Sequence, residues 1–281
     1  MSRTLEPYQM IERSIIKKYR KVLWNPFVAA VKRYELIQAG DRIAVCISGG
    51  KDSMLLAKLM QELQKHSDVP FELTFLVMDP GYNEANRAKI EQNAALLRIP
   101  ITVFETDIFA VANVAEQNPC YLCARMRRGN LYSKAQSLGC NKIALGHHFN
   151  DVIETTVMAM FYGSQLQAMP PKLHSKNFPG MELIRPLYCV HEEDILAWKR
   201  YNGLDFLQCA CRFTESRDAS EDGIGHSKRQ EIKVLLRGLR RDNPDIEKSI
   251  FNSIHAVCLD TMVGYKTRGE EHSFLENYSA V

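Results

Sequence analysis

Ser48-Gly49-Gly50-Lys51-Asp52-Ser53 is the stretch whose residue types speak most directly of chemistry. The apolar run Arg42-Ile-Ala-Val-Cys-Ile47 precedes it, and Met54-Leu-Leu-Ala-Lys-Leu-Met60 follows. That pattern predicts a buried strand, a tight glycine turn and a helix carrying Asp52 and Ser53 in its first turn. Such a turn gathers backbone N–H groups at the positive end of a helix dipole and suits a phosphate. Glycine lets the chain come close to the anion and adopt positive φ. The spacing is not that of a Walker A loop, Gly-x-x-x-x-Gly-Lys-Ser/Thr. A plain strand-to-helix turn is the competing reading.

Cysteines form the second constellation. Cys120 and Cys123, two residues apart in a predicted loop before a helix starting near Ala124, can face one metal. Thiolates at a helix N-terminus are also acidified, which favours ligation or nucleophilic attack. Half a zinc site, a dithiol redox pair and part of an iron–sulfur cluster all fit this spacing. Cys209 and Cys211 offer further thiols in a predicted turn. Three thiolates from two loops would leave one iron of a cluster without a protein ligand, the open position that chemistry requires. Cys46, Cys140, Cys189 and Cys258 sit in apolar or strand-like surroundings and read as small buried hydrophobes.

The elements that must position these groups alternate. Strands are predicted at Ile43–Ile47, Leu73–Met78, Ile101–Phe104 and Lys142–Leu145, with helices at Ser53–Gln64, Glu84–Leu97, Ala124–Leu138 and Asp151–Phe161. The alternation implies a parallel sheet covered on both faces. Ligands bind such sheets beyond the carboxyl ends of the strands, where strand order reverses, so the phosphate loop and the segment after Leu145 can share a cleft. Before this core, about Pro7 to Val31 reads as a basic amphipathic helix broken or kinked at Pro26. After it, Gly163–Gly180 reads as a long loop, and Arg185-Pro-Leu returns to the core. Helices are expected at His191–Tyr201, Ser227–Arg241 and Asp245–Asp260. Lys228, Arg229, Lys233, Arg237, Arg240 and Arg241 give the second of these a basic stripe, suited to a polyanion or to a solvated face. The expected organisation is an N-terminal helical segment (1–35), a nucleotide-binding α/β domain with the cysteine site (36–212) and a C-terminal helical extension (213–281).

Composition is that of an ordinary globular chain: 281 residues, 46% hydrophobic and 25% charged. No apolar run is long enough to span a bilayer, and the first residues lack a signal-peptide apolar region, so a cytosolic, non-membrane protein is expected. In that compartment eight cysteines point to metal binding or catalysis rather than disulfides. The formal net charge of +3 says less about nucleic acid than the local basic clusters do.

The loop Ser48–Ser53 resembles the PP-loop of the N-type ATP pyrophosphatases, which split ATP between its α and β phosphates and adenylate a substrate. Further segments narrow the likeness: Cys120-Tyr-Leu-Cys-Ala-Arg-Met-Arg-Arg-Gly129, Lys142-Ile-Ala-Leu-Gly-His-His-Phe-Asn-Asp151, Met160-Phe-Tyr-Gly163, Met169-Pro-Pro-Lys172 and Arg185-Pro-Leu187. Over roughly residues 20 to 212 the chain is similar to the tRNA 2-thiocytidine synthetases, PP-loop enzymes that thiolate a cytidine of the tRNA anticodon loop. The resemblance implies a parallel-sheet PP-loop ATPase fold of the adenine nucleotide α hydrolase type. It also implies ATP, Mg²⁺, a 4Fe–4S cluster on three cysteines, a tRNA substrate, a sulfur donor such as a cysteine desulfurase, and a homodimer. Carried onto this sequence, it puts nucleotide on Ser48, Gly49, Gly50, Lys51, Asp52, Ser53, Met78 and Gly146, and catalysis on Lys51, Asp52 and Asp151. The cluster falls on Cys120, Cys123 and Cys209, with Cys211 as the alternative third ligand. RNA phosphates fall on Arg125, Arg127, Arg128 and Lys172. His147 and His148 read as contacts to ATP or RNA, or as structural hydrogen-bonders.

Two departures stand out. The family shows Gly-His-His-x-Asp-Asp, and here the first acid is Asn150; the family's second Cys-x-x-Cys is here Cys209-Ala-Cys211. The absence of N-terminal zinc-ribbon cysteines argues against the related 2-thiouridine enzymes. Two further readings compete: a lysidine-synthetase-like or amide-forming PP-loop ligase, which has no need of the cysteines, and a non-catalytic Fe–S protein that binds RNA.

Overall fold

The computed structural model describes residues 5–109, 119–207 and 228–278, with the backbone alone for 119–121, 124 and 277. Its central sheet has the order β3-β2-β1-β4-β6-β5. These strands are β1 (Arg42–Ile47), β2 (Glu72–Asp79), β3 (Ile101–Glu105), β4 (Lys142–Ala144), β5 (Lys172–His174) and β6 (Glu182–Ile184). All neighbours run parallel except β5, which pairs antiparallel with β6 at the edge. The chain builds outward from β1 to β2 and β3, then returns to the other side of β1 for β4. The strand order therefore reverses between β1 and β4, and the crevice at their carboxyl ends is where such sheets hold ligands.

Burial explains the central strand. Ile43, Val45 and Ile47 enter one apolar core and Ala44 and Cys46 the opposite one, as the two-residue period of a strand covered on both faces demands. Helices α3 (Lys51–His66), α4 (Glu84–Leu96) and α5 (Pro119–Ser137) form the crossovers, with α6 (Phe149–Gly163) and α7 (Glu192–Tyr201) after them. Trp198 of α7 and Met54, Leu55 and Leu59 of α3 are fully buried.

The N-terminal segment is not one continuous helix. It is α1 (Pro7–Ile16), a π-helical turn (Arg20–Trp24) and α2 (Asn25–Arg33), and Pro26 starts α2 rather than breaking it. In the first turn a proline gives up an N–H that has no intrahelical acceptor anyway. Lys58 ties this segment to α3: its ammonium, 1% exposed, lies 2.7 Å from Glu12 Oε1 and donates to Leu97 O. Burial pushes the Glu12 carboxyl up, but hydrogen bonds and charge from Lys58 and Lys65 outweigh it and leave Glu12 below its ordinary value.

The expected loop Gly163–Gly180 contains β5, and β6 precedes Arg185. Three-residue strands carry too little periodicity to be read from sequence. The last long helix prediction resolves into α9 (Ile246–Ser253) and a 3₁₀ turn (Leu259–Thr261), and Cys258 is exposed rather than buried. Cys46 and Cys140 are buried as expected, and Cys189 is half-buried. Burial pushes the Cys46 thiol up to about 12, beyond any nucleophilic use.

The chain forms two compact units, residues 1–152 with 169–226, and 153–168 with 227–281. The second holds most of α6, α8 (Lys228–Asp242), α9, the hairpin β7 (Gly264–Thr267)–β8 (Glu270–Ser273) and α10 (Leu275–Tyr278). There the buried Glu154 lies 3.5 Å from Arg229 and 3.7 Å from Lys233, so part of the basic stripe is spent on an internal carboxylate.

At the amino ends of the sheet, Lys142 is 6% exposed and lies 2.8 Å from Asp41 and 3.1 Å from Glu182. Replacing Lys142 by alanine leaves both carboxylates buried without their cation. A loss of about 3–5 kcal/mol is expected in urea unfolding; a loss under about 1 kcal/mol would show that the network is dispensable.

Candidate nucleotide and cluster site

Ser48, Gly49 and Gly50 leave the carboxyl end of β1 and lead into α3. Gly49 has φ +83°, and a Cβ there would sit 2.6 Å from Ile90 and 2.9 Å from Leu207, so only glycine fits. Gly50 is the N-cap of α3 and supplies no side-chain cap, leaving the first-turn N–H groups for a ligand. Ser53 fixes the turn: its buried hydroxyl donates to Gly50 O at 2.9 Å and accepts from Ser48 N at 3.1 Å. The two serine hydroxyls are 3.2 Å apart.

The loop after β4 closes onto this cradle. A Cβ on Gly146 would lie 3.1 Å from Asp52 C and Ser53 N, both backbone atoms that cannot give way. Gly146→Ala is expected to push the two loops apart, weakening ATP binding about tenfold at a stability cost of about 1–3 kcal/mol, measured by calorimetry and urea unfolding. Parental affinity would mean that this approach is not needed.

Beyond Gly146, His148 and Asp151 cap α6 reciprocally. Asp151 Oδ2 accepts from His148 N at 3.0 Å, and His148 Nδ1 accepts from Asp151 N at 3.4 Å. His148 Nε2 lies 3.8 Å from Asp52 Oδ1 and 4.0 Å from Glu192 Oε1. Lys51 Nζ lies 3.1 Å from Asp52 Oδ2 and 3.0 Å from Glu192 Oε1. Burial alone would lower the Lys51 ammonium, but Asp52 and Glu192 overcome it and hold it above its ordinary value. Glu192 was not among the residues expected here; it reaches the loop from the first turn of α7. Asn150 Oδ1 accepts the Glu192 N–H at 2.9 Å. Aspartate could accept the same bond, so Asn150 keeps a contact and removes one charge from a site that already holds three carboxylates.

Asp52 Oδ1 is buried without a hydrogen bond. Among the described residues no three His, Cys, Asp or Glu side chains form a preformed metal site. The orphaned oxygen nevertheless suits Mg²⁺, which takes one or two carboxylates and fills its octahedron with phosphate and water.

The other expected site residues divide. Met78 is buried near the end of β2, and the following Asp79 holds the turn by accepting from Gly81 N at 2.9 Å and Tyr82 N at 2.7 Å. Cys120 and Cys123 are not in a loop before the helix but in the opening turns of α5. A crossover from β3 to β4 must start at the carboxyl end of the sheet, which puts both on the side of the phosphate loop. Cys123 is half-buried and in no disulfide. Cys209 and Cys211 lie outside the described residues, but Leu207, two positions before Cys209, donates its N–H to Gly49 O at 3.1 Å. Arg125 and Arg128 are exposed on α5, and Arg127 is half-buried with its guanidinium 5.4 Å from the Phe109 ring centre. Lys172, on β5, donates to Glu35 O at 3.1 Å.

A glycine cradle at the switch point of a parallel sheet, ringed by Lys51, Asp52 and Glu192, defines a nucleotide-binding protein of the PP-loop class. Comparison agrees: a PP-loop domain family matches residues 12–211. The tRNA-cytidine(32) 2-sulfurtransferase of Cellvibrio japonicus (strain Ueda107) is 36% identical over 255 residues, 89% of this chain and 80% of that protein. The enzyme of that name from Geotalea uraniireducens (strain Rf4) is 36% identical over 244 residues, 84% and 93% of the two chains. Among solved structures, the U34-tRNA thiolase NcsA from Methanococcus maripaludis with its [4Fe-4S] cluster shares the fold, with TM-score 0.64, 20% identity and coverage of 87% and 81%. The chain belongs to the tRNA-cytidine 2-sulfurtransferase family of PP-loop proteins. No helix among its described residues is long and apolar enough to cross a membrane.

Proposed function

We propose that this protein thiolates a tRNA cytidine at C2, using ATP to activate the C2 oxygen. One observation carries the reading: the phosphate loop and the helix start that carries Cys120 and Cys123 stand at the same end of one sheet, and Leu207, two positions before Cys209, is bonded to Gly49.

A pyrimidine C2 oxygen is a poor leaving group, and adenylation turns it into AMP. The first-turn N–H groups of α3 bind the phosphates, in a turn whose shape the Ser48 and Ser53 hydroxyls hold through their bonds to one another and to Gly50 O. Lys51, held between Asp52 and Glu192, sits where it can offset phosphate charge as pyrophosphate departs. Asp52 is the carboxylate best placed to hold Mg²⁺, which would neutralise charge on the leaving pyrophosphate; Asp151 orients the loop through its cap on α6. Gly146 lets the loop after β4 approach the backbone of Asp52 and Ser53 closely. Cys120, Cys123 and Cys209 (or Cys211) would hold a 4Fe–4S cluster, which would supply an open iron position suited to sulfur. Arg125, Arg127, Arg128 and Lys172 would position the RNA. A cysteine desulfurase as sulfur donor, a homodimeric state and a cytosolic location complete the proposal.

The test is anaerobic incubation of purified protein with tRNA, ATP and sulfide. AMP and 2-thiocytidine are expected by mass spectrometry of the digested RNA. AMP without thiolation would favour an amide-forming or lysidine-type ligase, and neither product would favour a binding protein.

A further inference from the structure

Arg185 follows β6 directly, beside the switch-point crevice: Leu145, just after β4, donates to Ile184 O at 3.0 Å. It is only 8% exposed. Its guanidinium donates to Pro170 O, yet the buried Nε has no hydrogen-bond partner, and no described carboxylate forms an ion pair with it. A buried cation is normally paired, because losing its hydration costs several kcal/mol. Here the neighbour is a second cation. Burial, then the charge of Arg128, lowers Arg185 to about 10, although Tyr188, Tyr132 and Asp151 act in the opposite sense. Arg128 itself is exposed on α5 and makes no ion pair among the described residues. One turn-face away, Arg127 also has a buried Nε without a partner. A buried guanidinium with an unfilled donor beside a second cation on α5 is a poor structural pair and a good anion site.

We propose that Arg185 and Arg128 form a binding site for a phosphate ester, a site that rests on the thiolation reading for its role but not for its existence. The planar guanidinium of Arg185 offers paired N–H donors to phosphate oxygens, which a lysine cannot reproduce. The RNA backbone is the favoured source, since Arg128 opens to solvent on the helix that carries the cysteines. A phosphate of the nucleotide is the other source of the same chemistry.

The experiment uses the full chain, Arg128→Gln and Arg185→Lys. Each is checked by thermal melting, then titrated with labelled anticodon stem-loop RNA across a salt series and separately with ATP. Both variants should bind RNA about five- to tenfold more weakly, and the slope of log K against log salt should become shallower by about 0.7–0.9 for each lost contact. Unchanged RNA binding with weakened ATP binding would also support the site and assign it to the nucleotide. Folded variants that match the parent for both ligands would overturn it; should Arg185→Lys fail to fold, the exposed Arg128→Gln decides alone. The readout is separate from the reaction. RNA held by these arginines without thiolation removes only the reaction, and thiolation with unaltered binding in both variants removes only this site.

Discussion

Asp52→Ala will cut AMP formation, with tRNA and ATP present, by about 10³-fold or more while the protein stays folded. The size follows from where the charge lies. Asp52 Oδ1 is buried and unsatisfied, and Oδ2 holds Lys51 at 3.1 Å. Among the described residues Oδ1 accepts no hydrogen bond, its nearest charged neighbour being His148 Nε2 at 3.8 Å, which suits a ligand that arrives with the nucleotide. Alanine removes the candidate Mg²⁺ ligand and one of the two anchors of Lys51 together. The side chain is 28% exposed, so its pairing with Lys51 contributes about 1 kcal/mol or less to stability. Asp52→Asn separates charge from shape: it should fall nearly as far as alanine if the carboxylate holds metal. AMP release at the parental rate in either variant would remove Asp52 from the mechanism.

Cys123→Ala will abolish the visible thiolate-to-iron absorption of anaerobically prepared protein and lower thiolation below detection. ATP affinity should stay within about twofold of the parent, because the phosphate cradle contains no cysteine. A cluster on three thiolates cannot drop to two and keep an iron selectively open. Cys123 is half-buried in α5, so alanine removes little packing, and a folding failure is not the expected cause. The same change at Cys46 should leave the absorption intact, since that thiol is buried in the core and pushed up to about 12. A colourless, zinc-loaded parent under these conditions would defeat the cluster assignment, and a coloured Cys123→Ala would defeat the residue assignment.

Some of this architecture was legible beforehand. The four long-period elements around β1 came through because an apolar run bounded by glycine or a 3.6-residue stripe is a local signal. The capping of α6 shows the limit. Gly-His-His-Phe-Asn-Asp marks a loop entering a helix, yet only the coordinates reveal that His148 and Asp151 are spent on each other's backbone. In the sequence Asn150 stood out only as a departure from the family's first acid. In the fold its side chain binds the N–H of Glu192, and the acid nearest to Lys51 besides Asp52 comes from that same residue. Arg185 was visible as part of Arg185-Pro-Leu187, but its burial without a counter-charge was not. The early onset of α5 was missed because Cys-Tyr-Leu-Cys has no strong helical propensity and Pro119 suits either a loop or a first helical turn.

The order of residues alone marked the glycine turn and the crossover pattern, because each is written in neighbours a few positions apart. Which distant groups meet was decided in three dimensions. Lys51 and Glu192 are 141 positions apart and 3.0 Å distant in the fold. Contacts of that kind arise from strand order and helix docking, and the cost of bringing such remote groups together is met by the buried core as a whole rather than by any local pattern.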